Sequence, residues 1–519
     1  VRFLVVLSVL IALFYAEEDW RGKHAWEKFT REWEAKGEYF TREAFIPPPI
    51  PDDQNFALIP AFAPLFDYEY TSTKFAERLL LRNVAKWHDQ AAFERAQQPS
   101  IYRSHNVRGP GESALSEGNW ELGKRIDLVM WQSYYRNSTN FPVATTPQDA
   151  ASDVLLALSK FDDVLNQIRA AAAKKPKSRF PIHYDEGPAA YIPHVILLRS
   201  LSGALVLRAS AELETGKSDA AFNDVDLCFR LIESIKPDAI SLSQMVRVGM
   251  LDHVIQPIWE GMVAHRWTEQ QLEHFQTKLL ALDFLPDYER AMRCDLADRI
   301  SSIVKLRRGE ISAHEYLLMF TVIDTLGSME DFIKQPIDGE KGLQLYLEFC
   351  PGGWLYHDQI DLSRFFQENV FPHVNASKQR VYPEQCKLWD VKRANPDPSI
   401  HDKIVGVWCF GGGEERFAEG QTARNEAIVA CALERYRIRY GQYPDSTEAL
   451  SPEFIRDIPH DVIDGNPLRY RRATDGQFVL YSVGWDEIDD GGAVDKQTRS
   501  WGRKGDWVWS YPPAESKGN

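Results

Sequence analysis

"LSGALVLRASAELETGKSDAAFNDVDLCFRLIESI", residues 201–235, sets the fold class of this chain. It reads as two helices joined by a short turn at Thr215-Gly216-Lys217-Ser218. In the second, Phe222, Val225, Cys228, Phe229 and Ile232 recur every three to four residues and share one face. Ser218 or Asp219 is placed to cap that helix, because a short oxygen-bearing side chain there accepts an orphan backbone N–H.

The same period extends outward from about residue 146 to residue 347. "TPQDAASDVLLALSKFDDVLNQIRAAAAKK" carries Val154, Leu155, Leu158, Phe161, Val164, Leu165 and Ile168 as an apolar stripe. "SLSQMVRVGMLDHVIQPIWEGMV" continues it, and Pro257 is expected to kink or end that helix. Ala211, Gly216 and Ala220 are spaced so that residues 201–235 resemble one tetratricopeptide helix pair, without its aromatic signatures. Residues 73–349 are therefore expected to form an α-helical body, an irregular α-solenoid-like array. Residues 350–413 lose the period and read as an irregular connecting region ending at "GGG".

A chain of 519 residues exceeds what one core usually serves, so two or three domains are expected. The 44% hydrophobic content excludes wholesale disorder, and the net charge of −15 argues against a general nucleic-acid binder. Residues 1–16, "VRFLVVLSVLIALFYA", are apolar after Arg2 apart from Ser8 and read as a signal or an N-terminal membrane anchor, which places the remainder in an extracytoplasmic compartment, periplasmic or cell-surface; the alternative is a buried first helix. Residues 17–72 follow as an amphipathic helix bearing Trp20, Trp26, Phe29 and Trp33, then a Pro-rich spacer or strap. Cys228, Cys294, Cys350, Cys386, Cys409 and Cys431 lack C-x-x-C spacing and read as buried free thiols, the alternative being one disulfide among Cys350, Cys386 and Cys409.

The last segment, 414–519, has a different grammar. A helix from Glu414 stops at "YGQYP", where Gly441 suits a left-handed cap and Pro444 cannot continue. "LRYRRATDGQFVLYSVG" reads as a hairpin turning at Asp475-Gly476, the type I′ signal, and "DWVWSY" reads as a third strand. In this order, Gly441, Tyr443 and Pro444, then Asp464, Gly465, Asn466, Pro467 and Tyr470, then Ser482, Gly484, Asp486, Gly491, Gly492 and Asp506 resemble the globular domain of the type II secretion major pseudopilins. The resemblance implies a small α+β domain on a mainly α chain, and a structural Ca²⁺ in the acidic loop "SVGWDEIDDGGAVD". By position it implies Asp486 and Asp506 as ligands, with Ser482 beside them. Asp490 and Asp495 are candidates from local chemistry, since Ca²⁺ takes oxygen ligands; the alternatives are a solvated acidic loop without metal and a catalytic role. The family's processing site and long N-terminal helix leading into this domain are not matched.

No G-x-S-x-G elbow, phosphate loop or H-E-x-x-H pair is present. His183, Asp185 and Glu186 in "HYDEG" read as a surface loop, and His314 as a helix surface. The expected function is non-enzymatic: a structural or protein-interaction protein of the cell envelope, in a secretion or pilus setting, with an unidentified protein partner and no small-molecule substrate. The alternative is an exported hydrolase whose site lies between helical body and C-terminal domain.

Overall fold

The structure, a computed structural model, describes residues 2–72, 85–97, 118–317, 341–387, 413–494 and 505–511. It is mainly α with a small strand-containing C-terminal region. Helix α1 (Arg2–Glu34) runs unbroken from the apolar segment through the aromatic one. The Pro-rich segment is a strap: Asn55 bonds both ways with Arg179, Phe56 N–H reaches Lys177 O at 2.8 Å, and Phe56, Phe62 and Leu65 are buried. A small ribbon, β1 (Tyr68–Tyr70) with β2 (Ala85–Trp87), and helix α2 (Gln90–Gln97) follow.

The body is α3 (Leu128–Arg136), α4 (Ala150–Leu158), α5 (Asp162–Lys174), α6 (Pro193–Glu214), α7 (Ser218–Ile235), α8 (Ser241–Val263), α9 (Glu269–Ala281) and α10 (Phe284–Arg307). Helices α6 and α7 pack as a pair, as the opening stretch predicts, and α8 packs against both. One local detail differs from expectation. The α6–α7 turn closes through Lys217 N–H to Glu212 O and Gly216 N–H to Leu213 O, with Gly216 at φ 75°, so Lys217 occupies the cap position and Asp219 instead accepts from Gln271 Nε2. Helix α8 does not end at Pro257, because both sides of that residue are buried against neighbouring helices and packing outweighs the local cost.

Helices α11 (Lys341–Phe349) and α12 (Gly352–Asn369) follow, then the two-stranded ribbon of β3 (Val374–Asn375) and β4 (Arg380–Val381). Helix α12 crosses α1 where glycine meets glycine: a Cβ on Gly22 would stand 2.2 Å from Gly353 O, and one on Gly353 1.9 Å from Glu18 O. Asp19 accepts the Gly353 N–H at 2.6 Å in the first turn of α12.

Helix α13 (Gly413–Tyr440) is buried on nearly every face from Glu414 to Arg435 and packs on α8, α9 and α10. It ends at Gly441, φ 77°, as expected. The sheet order is β5 (Arg469–Arg472), β6 (Phe478–Ser482), β7 (Trp507–Trp509), all antiparallel, and the third strand lies where the sequence puts it. The hairpin turn is not the two-residue type I′. Ala473 and Gln477 are joined by a 2.8 Å bond, Gly476 N–H returns to Ala473 O, and Gly476 has φ 87°, a three-residue loop with a glycine bulge. One apolar core runs without interruption from α4–α8 through α13 into this sheet, and Trp259 Nε1 donates to Ser510 O at 2.6 Å beside β7. A second cluster joins α1, the C-terminal half of α10 and α12.

Small residues permit the close approach of α13 to α8. A Cβ on Gly420 would lie 2.3 Å from Val248 Cγ1. Gly420→Val is expected to destabilise the protein by about 1–3 kcal/mol through overpacking, and Val248→Ala to restore part of that loss, read by thermal melting of the single and double variants.

Candidate functional site

The acidic loop between β6 and β7 is closed by one buried carboxylate, Asp506, and one half-buried, Asp486. Asp506, fully buried, accepts Gly492 N–H at 2.6 Å and Asp490 N–H at 3.3 Å, while Asp486 accepts Gly505 N–H at 2.9 Å and Ile488 N–H at 3.2 Å. Ser482 is also fully buried; its hydroxyl donates to Asp461 Oδ1 at 2.8 Å and accepts Gly484 N–H at 3.2 Å. Asp490 is exposed, and Asp495 lies outside the described residues. A Ca²⁺ ion needs six to eight converging oxygens at about 2.3–2.6 Å. Among the described residues, the loop carboxylates are not gathered into a group of three within 4.8 Å of one another.

Asp461, absent from the expected set, is the organiser of this corner. It also accepts N–H bonds from Ile463 and Val483, and pairs with Arg469 at 3.0 Å. Its signal in "PHDVIDGNP" is masked by the neighbouring Asp464, the residue that fits the family pattern. Asp464 closes the turn by accepting from Asn466 and Arg469; burial works against its charge, and those bonds hold it down at about 2. Tyr470 Oη donates from β5 to Pro444 O at 2.6 Å and Tyr443 Oη donates to Glu434 Oε2 of α13 at 2.7 Å, so the segment following α13 is fastened to the sheet by one and to the helix by the other.

Two further constellations lie outside the loop. A cleft of about 520 Å³ opens between α5, α6 and α7. Its floor is Asp224, nearly fully buried and paired with both Arg169 and Arg208, and its rim carries Arg230, Lys278 and Asp226. Burial, then the neighbouring Asp224, pushes Glu212 above the usual carboxylate range. The second constellation sits where body, connecting region and C-terminal helix meet. His373, Cys386 and Glu414 are all buried, with ligand atoms within 4.8 Å of one another, and Tyr288 Oη from α10 donates to Glu414 Oε1 at 3.2 Å. Sequence reading missed this group because its members are far apart in the chain and match no spacing motif. Their only signal is residue type in a segment without helical period.

At the other end of the molecule, every residue from Arg2 to Glu17 is exposed, including Phe3 at 76% and Leu4 at 64%. Apolar side chains face all directions there, while from Gly22 onward α1 is docked. Tyr15 Oη donates to Phe349 O at 2.6 Å and marks the transition. His183, Asp185 and His314 are exposed, as expected of surface positions, whereas Glu186 is buried. The described cysteines Cys228, Cys294, Cys350, Cys386 and Cys431 form no disulfide with one another, and Cys409 lies outside the described residues.

Compared with known protein families, curated proteins and solved structures, the chain matches none.

Glu434 gives this C-terminal region an acid sensitivity. Burial opposes its charge, but hydrogen bonds from His265, Arg437 and Tyr443 outweigh it and hold the carboxyl at about 2. With the folded value depressed, its contribution is present above the unfolded value of about 4.3 and fades as pH falls towards 2. Glu434→Gln is expected to lower the melting temperature at pH 7 and to flatten the decline between pH 5 and pH 2, measured by circular dichroism melts across that range.

Proposed function

We propose that this protein is a non-enzymatic interaction protein held at a membrane of the cell envelope, with its helical body and C-terminal sheet offered to a protein partner. One observation carries the reading: α1 is a single helix whose first half is apolar on all sides and exposed, and whose second half is locked into the body at the Gly22–Gly353 crossing. A helix apolar all round belongs in an apolar medium rather than in a one-sided protein groove. The segment rises about 20 Å, a large part of the roughly 30 Å hydrocarbon layer. Because the helix is continuous, the body has a defined tilt relative to that layer instead of swinging on a linker.

The pseudopilin-like reading of the C-terminal region is part of the proposal. Its support is the order of long helix, hairpin, acidic loop and closing strand, together with Tyr443 and Tyr470 acting as fasteners. In this reading the acidic loop is closed by its own N–H donors. Asp506→Ala is expected to leave those donors unpaired at a cost of about 1–3 kcal/mol and to admit protease between residues 486 and 494. Calcium or chelator is expected to leave that cleavage unchanged, and calcium-dependent protection would instead support a cation site in the loop.

The membrane part is tested by fractionation. The full chain is expected in the alkali-resistant membrane pellet, and the triple variant Val6→Glu, Leu10→Glu, Leu13→Glu in the soluble fraction with an unchanged melting temperature. An unsubstituted chain that remains soluble ends the proposal.

A further inference from the structure

We infer that His373, Cys386 and Glu414 form a binding site for a thiophilic divalent transition ion of the zinc class, at the junction of body, connecting region and α13. The ligand types argue for it first. Imidazole and thiolate select zinc-like ions over the hard cations calcium and magnesium, and a carboxylate completes a donor set common to such sites.

Charge is the second argument. A neutral imidazole, one thiolate and one carboxylate carry two negative charges, which a divalent ion cancels within a buried site.

Geometry supplies the third. His373 Nδ1 and Glu414 Oε1 stand 3.1 Å apart, close to the roughly 3.3 Å separating two ligands on a tetrahedral ion with bonds of about 2.0–2.1 Å. All three ligand atoms fall within 4.8 Å of one another.

The fold brings these residues together by a specific device. His373 ends the short turn after α12, the β3–β4 ribbon reverses the chain, and Tyr382 N–H donates to His373 O at 2.9 Å, which sets Cys386 beside the imidazole. Glu414 arrives from the first turn of α13, and the Tyr288 hydroxyl orients its carboxylate. Three protein ligands leave a fourth tetrahedral position, which the Tyr288 side of the site or a water would complete. The burial of every ligand makes this a structural clamp joining three parts of the chain, independent of how the protein meets a membrane.

The test uses the full chain, titrated with Zn²⁺ against a chromophoric chelator and separately with Co²⁺. One equivalent bound, with thiolate-to-cobalt charge-transfer absorption, is the expected result, and Cys386→Ser should abolish the absorption while Cys350→Ser leaves it intact. His373→Gln and Glu414→Gln should each weaken binding by about 10-fold or more. Should Cys386→Ser fail to fold, X-ray absorption at the zinc edge of the unsubstituted protein decides: one sulfur near 2.3 Å with nitrogen and oxygen neighbours is required. A first shell without sulfur, or binding that survives substitution of His373 and Glu414, overturns the assignment.

Discussion

The burial of α13 is the constraint on which the rest of the structure depends. A helix surrounded by protein must satisfy its charged side chains internally, since an unpaired buried charge costs far more than a hydrogen bond returns. Arg424 does so by donating to Leu279 O and Leu280 O, the last carbonyls of α9, each at 3.0 Å. Eleven residues later, three turns along the same face, Arg435 donates to Gln276 Oε1 and Phe454 O and pairs with Glu273. The two arginines fix both the rotation of α13 and its height against α9. Every contact that the sheet makes with the body inherits that register.

This constraint explains why the C-terminal region is not a detached head. Residues 414–519 carry the sequence grammar of a separate small domain, but their helix contributes to the same apolar core as α6–α9. The sheet closes over α13 from one side and the body from the other. Trp509 lies 5.3 Å from Trp120, centroid to centroid, and Ser510 Oγ donates to Glu121 O at 2.6 Å, so the last strand is tied to the body as firmly as to its own sheet.

The legibility of the sequence follows the same physics. Helix α7 was readable because its apolar residues, Phe222 to Ile232, lie on one side. The buried faces of α8 and α13 were less so, because a helix enclosed on all sides needs no stripe, and Pro257 then breaks a local rule that surrounding packing overrides. Turn positions such as Gly441 were legible because a positive φ selects glycine, yet Asp475-Gly476 suits both a two-residue turn and a glycine bulge, and only strand register separates them. The residues of the family pattern, Tyr443, Asp464 and Tyr470, proved to be fasteners. Asp461, which organises their corner, carries no pattern of its own.

His373, Cys386 and Glu414 illustrate the limit most clearly. Three elements with no shared periodicity meet only because α12 is held at one end by α1 and α13 is held in register by its arginines. The Gly22–Gly353 crossing fixes where α12 begins, and its length of 18 residues, about 27 Å at 1.5 Å per residue, fixes where His373 emerges. Glu414 is placed from the opposite direction by the arginine contacts along α13. The N-terminal helix and the C-terminal core thus act on one buried point, and a displacement of either would be felt there first, since packed side chains shift in discrete steps rather than deforming continuously.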